Sequence, residues 1–140
     1  MTLLNDAARE AIAAGPLAHL VTMNVDGSPQ LSIVWVGLGD ADDELVLGHL
    51  GEGQKIRNIE RDARVAVSLE TEGANNIGLG NHLLLYGRAH LTEGGAPELL
   101  QRLAHVYLGP DAKFPPFDNP PAGRIVHIAI ERVGGVGPWK

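Results

Sequence analysis

Two basic side chains, Lys55 and Arg57, follow a glycine-rich turn at residues 51–53 and stand in the first turns of a short predicted helix. Glycine lets backbone N–H groups come close to a ligand. The first turn of a helix also presents unpaired N–H groups and the positive end of the helix dipole, a combination that binds phosphate. From residue types alone two interpretations stay open: an anion site, or a solvated surface helix whose cations pair with Glu60 and Asp62.

The histidines offer a second kind of chemistry. None of the six lies in a HExxH-type spacing, which argues against a zinc site, and the chain has no cysteine to act as a metal ligand or nucleophile. His49 is the histidine nearest the basic helix, and a neutral imidazole there could donate a hydrogen bond to charge developing on a bound ring. His127, on an alternating strand, is interpreted as structural.

Two tryptophans and an asparagine-rich segment complete the candidates. Trp35 alternates with Leu31 and Ile33, so both core packing and ligand contact stay open for it. Trp139 lies in a Gly/Pro tail with no local core to join, which predicts packing on a partner subunit or over a ligand. Asn75 lies in segment 71–81, predicted as a loop too long for a tight hairpin, and loops of that size are often functional.

Composition sets the class of protein. A chain of 140 residues with 44% hydrophobic residues predicts a single domain over residues 1–140 with a core of its own. A net charge of −6 argues against general nucleic-acid binding and, beside a local basic cluster, favours a small anionic ligand. The first residues do not resemble a signal peptide, and no window approaches the ~20 apolar residues of a membrane span. We therefore expect a cytoplasmic protein with no membrane partner.

The elements that must position these residues are mostly strands. Strands follow one another over short links, unlike βαβ units, which predicts a mainly β fold: a six-stranded antiparallel barrel with three peripheral helices. A glycine inside the fifth strand, Gly87, predicts a bulge or a close backbone approach. The predicted strands are 17–25, 30–37, 44–50, 64–70, 82–91 and 124–133. The predicted helices cover 3–13 with Thr2 as N-cap, the basic segment after 53, and the segment that begins at Pro97, which a proline-rich surface loop at 109–122 follows.

Four segments of the chain together resemble a known family. They are GSPQLSIVWV at 27–36, GQKIRNIERDARVAV at 53–67, LYGRAHLTE at 85–93 and RVGGVGPW at 132–139. They look like the split β-barrel flavin and deazaflavin oxidoreductases, the pyridoxamine-5′-phosphate-oxidase-like proteins, and cover nearly the whole chain. The run K-x-R-N-[LI]-x-R-D-x-R-V is the most specific part. The GVGPW tail is typical of the branch that uses coenzyme F-420, a deazaflavin.

The resemblance implies a homodimeric split barrel with two cofactor sites at the subunit interface. It implies that Lys55 and Arg57 hold the cofactor's phosphate. The tricyclic ring would then lie against the strand that carries Ser32 and against the strand end near His49. The implied cofactor-binding set is Ser32, Val34, Trp35, His49, Leu50, Gln54, Lys55, Arg57, Asn58, Asn75 and Trp139. His49 stands where Ser or Thr is common in the family, so a hydroxyl contact is not carried over.

The resemblance also implies an activity: hydride transfer from reduced F-420 to an activated double bond, such as an enone, a quinone or a tetrapyrrole-like acceptor. Hydride transfer is the cofactor's chemistry, so an acid–base triad is not required, and none is apparent in the sequence. Two alternatives stay open, an FMN-binding oxidase or flavin reductase of the same fold, and a non-catalytic cofactor-binding protein. A true pyridoxamine phosphate oxidase is disfavoured because its C-terminal substrate-phosphate motif is not apparent.

Overall fold

The computed structural model describes residues 2–140, which form three helices and seven strands. The helices are α1 (Asp6–Ala13), α2 (Gln54–Arg61) and α3 (Ala96–Tyr107). The strands are β1 (Ala18–Met23), β2 (Pro29–Val34), β3 (Gly37–Leu38), β4 (Glu44–His49), β5 (Arg64–Ala74), β6 (Gly80–Glu93) and β7 (Arg124–Val136). No helix among them is both long and apolar enough to cross a bilayer.

One curled antiparallel sheet carries all the strands, in the order β2-β1-β5-β6-β7-β4-β3. Strict alternation in β1, where Ala18, Leu20 and Thr22 are buried and their neighbours are not, puts one face of the sheet inside. That face and α1 enclose the main apolar core. The mainly β, split-barrel fold is therefore confirmed. The seventh strand, beyond the predicted six, is the two-residue β3, which pairs with Leu45 and Val46.

Helix α1 begins later than predicted because the N–H groups of the residues before it form hydrogen bonds with a side chain outside the helix. The Asp43 carboxylate accepts hydrogen bonds from the N–H groups of Leu3 and Leu4 at 2.8–2.9 Å. Asn5 then caps the helix, its Oδ1 accepting from Ala8 N–H at 2.9 Å. Asn5, and not Thr2, is therefore the N-cap.

The segment predicted as a long loop at 71–81 is largely strand. β5 runs on to Ala74 and β6 starts at Gly80, so only residues 75–79 turn. Asn75 shapes that turn, since its Oδ1 accepts from the N–H groups of Ile77 and Leu79 at 3.1 and 2.9 Å. These hydrogen bonds of Asn75 close a tight hairpin, whereas the Gly- and Asn-rich composition of the segment predicts a loop.

Gly87 lies at a bulge, as predicted. Tyr86 pairs with Arg132 but Gly87 pairs with Ile130, so β7 carries one extra residue there. A Cβ atom on Gly87 would lie 2.1 Å from the carbonyl oxygen of Ala129. The close backbone approach requires glycine, and the bulge bends the two longest strands.

Candidate functional site

The basic helix α2 begins without a side-chain cap. Its N-cap residue, Gly53, has no side chain to accept a hydrogen bond from the first N–H groups, and the first intrahelical bond runs from Arg57 N–H to the Gly53 carbonyl at 3.1 Å. The N–H groups of Gln54, Lys55 and Ile56 precede that bond and therefore have no carbonyl within the helix. With the helix dipole, they form an anion-binding end of the kind that the sequence predicts.

Lys55 is the cation at this end of the helix. Its side chain is half-buried, and within residues 2–140 no carboxylate forms an ion pair with it. Burial lowers the pKa of the Lys55 ammonium from its usual 10.5, because an apolar surrounding disfavours the charged form. An anion placed beside it would remove that penalty, so the side chain is set up to receive negative charge.

A cleft of about 220 Å³ opens beside Lys55, between the end of β2, β4 and α3. Its lining side chains are apolar apart from the lysine, and Ile33 on the outer side is 61% exposed. Typical small-molecule sites measure roughly 300–1,000 Å³, so these walls enclose only part of a binding site for a tricyclic ring. The lining residues are Leu17, Ile33, Val34, Trp35, Gly48, Lys55, Leu100 and Phe114.

Trp35 satisfies both interpretations that the sequence leaves open. It lines the cleft, and it stacks on Tyr107 with ring centroids 5.4 Å apart while Phe114 meets it edge-on at 5.1 Å. The Tyr107 hydroxyl donates to the Pro16 carbonyl at 2.7 Å and accepts from Val36 N–H at 3.1 Å. Burial raises the pKa of that hydroxyl, which keeps it protonated. The aromatic wall is therefore held rigidly from behind.

Phe114 is a site residue that the sequence interpretation misses. It lies in the proline-rich loop, which Gln101 of α3 anchors: Gln101 Nε2 donates to the Ala112 carbonyl at 2.8 Å, and Gln101 Oε1 accepts from Phe114 N–H at 2.9 Å. Leu100, next along the helix, lines the same cleft. In the sequence, Phe114 stands out as an aromatic residue in a segment with five prolines. Its proximity to Lys55 becomes apparent only from the fold.

Asn58 does not contact the cofactor directly, contrary to the prediction. It is completely buried, and its amide donates to Thr22 Oγ1 at 3.0 Å and to Asn24 Oδ1 at 2.9 Å. Its Oδ1 accepts from Gln54 Nε2 at 2.8 Å, and Gln54 Oε1 in turn accepts from Arg57 at 3.1 Å. Asn58 therefore positions Gln54 and Arg57 from inside the barrel, because no face of it reaches a ligand.

The predicted ring contacts divide into two groups. Val34 and Trp35 line the cleft, whereas Ser32, His49 and Leu50 stand beside it and do not form its walls. Ser32 Oγ and His49 Nε2 are nonetheless buried polar atoms with no hydrogen-bond partner within residues 2–140, and such atoms are rare in folded proteins.

His49 packs against the glycine-rich turn. Its Nε2 lies 3.2 Å from the place a Cβ on Gly53 would take, so the glycine makes room for the ring. Burial, and then the nearby charge of Lys55, lower the pKa of His49 and keep the imidazole neutral near pH 7. A neutral imidazole has one N–H to donate, which is the state needed for a hydrogen bond to charge that develops on a bound ring.

Trp139 does not line the Lys55 cleft. The indole is 8% exposed and belongs to the main core, and its Nε1–H donates to the His82 carbonyl at 2.9 Å. The expectation that it has no local core is wrong, because the tail folds back onto β6. Asn75 lies in the hairpin turn described above and not on the cleft of its own chain. Its contact with a partner's cofactor stays a prediction.

A larger cavity of about 600 Å³ lies elsewhere, between α1, the end of β5 and the C-terminal tail. Its charged lining residues are Glu10, Glu70 and Glu72, with no lysine or arginine among the described wall residues. This charge repels phosphate, so size alone does not identify the anion site. The smaller cleft is the one that has the cation of Lys55 and the N-terminal end of α2.

Comparison with solved structures gives many matches to the fold. An F420 reductase aligns with a TM-score of 0.72 at 20% identity, over 90% of this chain and 94% of that chain. The conserved hypothetical protein Rv2991 from Mycobacterium tuberculosis also aligns with a TM-score of 0.72, at 21% identity over 96% of this chain and 85% of that chain. An FMN-binding protein from Syntrophomonas wolfei gives 0.67 at 13% identity, over 93% and 84%. At these identities the likeness shows the fold.

The family comparison covers nearly the whole chain. No curated protein matches it. The family model described as pyridoxamine 5′-phosphate oxidase matches residues 4–137, a span that includes the basic helix, the cleft and almost all of the barrel. The chain is therefore a member of the pyridoxamine 5′-phosphate oxidase family.

Proposed function

We propose that the protein is an oxidoreductase that binds coenzyme F-420 and uses its reduced form to transfer a hydride to an activated double bond. The observation that carries this proposal is Lys55: a half-buried cation with no carboxylate partner in the described part of the chain, residues 2–140. It lies at the uncapped start of α2 and on the wall of an aromatic cleft. A phosphate and an attached planar ring match that pairing of charge and apolar wall.

In this proposal the residues have separate tasks. Lys55, the N–H groups of α2 and Arg57 bind the phosphate, and Asn58 holds Gln54 and Arg57 in place. Trp35 and Phe114, fixed by Tyr107 and Gln101, shape the wall for the ring and exclude water. The bound deazaflavin would supply the hydride chemistry.

The acceptor follows from what the site provides. The cleft has apolar side chains and a single charged one, Lys55, among its described lining residues, so an uncharged conjugated acceptor, an enone or a quinone, suits it. Neutral His49, whose Nε2 beside the phosphate turn has no hydrogen-bond partner among the described residues, is a group that would stabilise charge by hydrogen bonding. A tetrapyrrole-like acceptor is the bulkier member of the same class and requires a larger opening.

FMN is the second candidate cofactor. It also presents a tricyclic ring and a phosphate, and an FMN-binding protein shares the fold. With FMN the activity would be that of an oxidase or a flavin reductase. A third possibility is cofactor binding without turnover, since a fold does not determine function.

We also propose a homodimer whose partner completes the cleft. β2 lies at an edge of the sheet, and on it Leu31 is 60% and Ile33 61% exposed. A long apolar edge strand is an aggregation hazard unless another chain covers it. Ile33 and Leu17, which is also exposed, line the cleft that is too small on one chain. A second copy seated on this edge would cover both features.

Replacement of Ile33 by lysine tests the dimer. A charge in the middle of a buried subunit contact should shift the molecular mass measured by light scattering from dimer to monomer and weaken cofactor binding in parallel. Val25→Lys is the control, because Val25 is also exposed, at 82%, but belongs to the tip of the β1–β2 turn. A monomeric wild-type protein would refute the dimer.

Binding titrations test the function itself. We expect quenching of F-420 fluorescence on addition of the apoprotein, with weaker binding of FMN measured in the same way. Oxidation of reduced F-420 by menadione or cyclohexenone, followed by absorbance, then tests turnover. Preference for FMN would assign the protein to the flavin alternative, tight F-420 binding without turnover would favour a carrier, and binding of neither would refute the proposal.

A further inference from the structure

Arg124, the first residue of β7, connects three glutamates around the phosphate turn. Its Nη2 lies 2.7 Å from Glu52 Oε1, its Nε 3.3 Å from Glu93 Oε1 and its Nη1 3.6 Å from Glu60 Oε1. The arginine side chain is 20% exposed, whereas the three carboxylates are more than half exposed. The guanidinium is thus the more buried centre of the cluster, and the three carboxylates contact it from the surface.

The backbone fixes Arg124 behind the site. It pairs with His49 on β4 and with Glu93 on β6. The preceding Gly123 lies against the turn so closely that a Cβ would come within 2.4 Å of the His49 carbonyl oxygen and 3.0 Å of Leu50 Cα. Its φ of +62° is also a conformation that glycine favours. The sheet therefore fixes the backbone of Arg124, and the side chain reaches the three glutamates from that fixed position.

Glu52 is the carboxylate that matters for ligand binding. It lies two residues before Gln54, in the turn that leads into α2. Carboxylates are attracted to helix N-termini and to ammonium groups, so a free Glu52 has the uncapped N–H groups and Lys55 within its own neighbourhood. The Glu52 carboxylate, if it lay there, would compete with an incoming phosphate for these groups and would also repel its negative charge.

We propose that Arg124 is a positioning residue for the phosphate site: it holds the Glu52 carboxylate away from the start of α2 and so keeps that end open to an anionic ligand. This inference rests on the proposed function, because it concerns the same phosphate site. Arg124 itself does not line the cleft. Its role is exerted through Glu52 and the turn.

The test compares Arg124→Gln, Glu52→Gln and the double variant in titrations with oxidised F-420 and with FMN. We expect Arg124→Gln to weaken binding about 5- to 10-fold, the size of a charge effect at a helix terminus. Glu52→Gln alone should change affinity less than about 2-fold, since the glutamate is already sequestered. Adding Glu52→Gln to Arg124→Gln should restore affinity to within about 2-fold of wild type.

The rescue separates this role from a structural one. If Arg124 only braced the turn, the double variant would bind as weakly as Arg124→Gln, and the inference would fail. It would fail equally if Arg124→Gln bound as wild type does. If Arg124→Gln does not fold, Arg124→Met, which keeps the apolar stem and loses the charge, and Arg124→Met with Glu52→Gln give the same comparison. A wild-type protein that binds neither cofactor would refute the proposed function first, and with it this inference.

Discussion

Lys55→Met should weaken F-420 binding by about 10- to 100-fold, because the variant loses a charge-assisted hydrogen bond to phosphate in a partly buried place. Methionine retains most of the apolar stem, so the cleft wall changes little. Arg57→Met should cost only about 2- to 5-fold, since Arg57 is exposed and its contribution is screened by solvent. Fluorescence titration at constant ionic strength measures both.

Arg102→Met is the matched control for that prediction. It removes one positive charge from an exposed position on α3, in a cleft that shares no lining residue with the Lys55 cleft. Its affinity for F-420 should equal that of the wild type. If Lys55→Met binds as tightly as Arg102→Met does, α2 is a solvated surface helix and the proposed function loses its main support.

The pH dependence gives the same prediction a second readout. The pKa of Lys55 in the free protein is below 10.5, and a bound phosphate would raise it, so binding takes up a proton between the two values. Affinity should therefore fall as pH rises through that window. The apoprotein should instead gain stability as pH rises towards 10.5, because the unfolded chain holds the proton longer. Both effects should disappear in Lys55→Met.

The predicted and missed parts of the site differ in how far apart their residues lie in sequence. The turn and α2 are local in sequence. Glycines at 51 and 53, cations after them and an apolar stripe on one side are sufficient to place Lys55 at a helix start. Phe114 reaches the same cleft from almost sixty residues away, through a loop that Gln101 anchors. Such a contact depends on how α3 packs against β4, which composition does not encode.

Asn58 and Asn75 show a second limit. Both are polar residues near a predicted site, and polarity suggests ligand contact or solvent for each. In the structure Asn58 is completely buried and satisfied by Thr22 and Asn24 from the barrel, while Asn75 bonds its own hairpin turn. Whether an amide bonds a ligand or the protein depends on tertiary neighbours, since side-chain amides can satisfy backbone and side-chain groups alike.

Trp139→Ala should destabilise the apoprotein by about 3 kcal/mol, the lower part of the range for removing a buried aromatic residue. The lower part applies because Trp139 lies after the last residue of β7, and its surroundings relax more easily there than in mid-strand. The tail is nonetheless tied down: Asn5 Nδ2 donates to the Pro138 carbonyl at 2.9 Å while the same side chain caps α1. Loss of the indole therefore also loosens the contact between the tail and α1. Denaturant unfolding without ligand measures the change.

Two further variants distinguish core packing from ligand contact. Trp139→Phe keeps an aromatic ring in the core but loses the hydrogen bond to the His82 carbonyl, which should cost about 1 kcal/mol. Lys140→Ala, at the exposed neighbouring position, should leave stability unchanged. If Trp139→Ala instead left the apoprotein as stable as wild type and lowered only F-420 affinity, the tail would act on the ligand. The conclusion that Trp139 completes the core of its own chain would then be wrong, because a buried side chain acts on folding before any ligand binds.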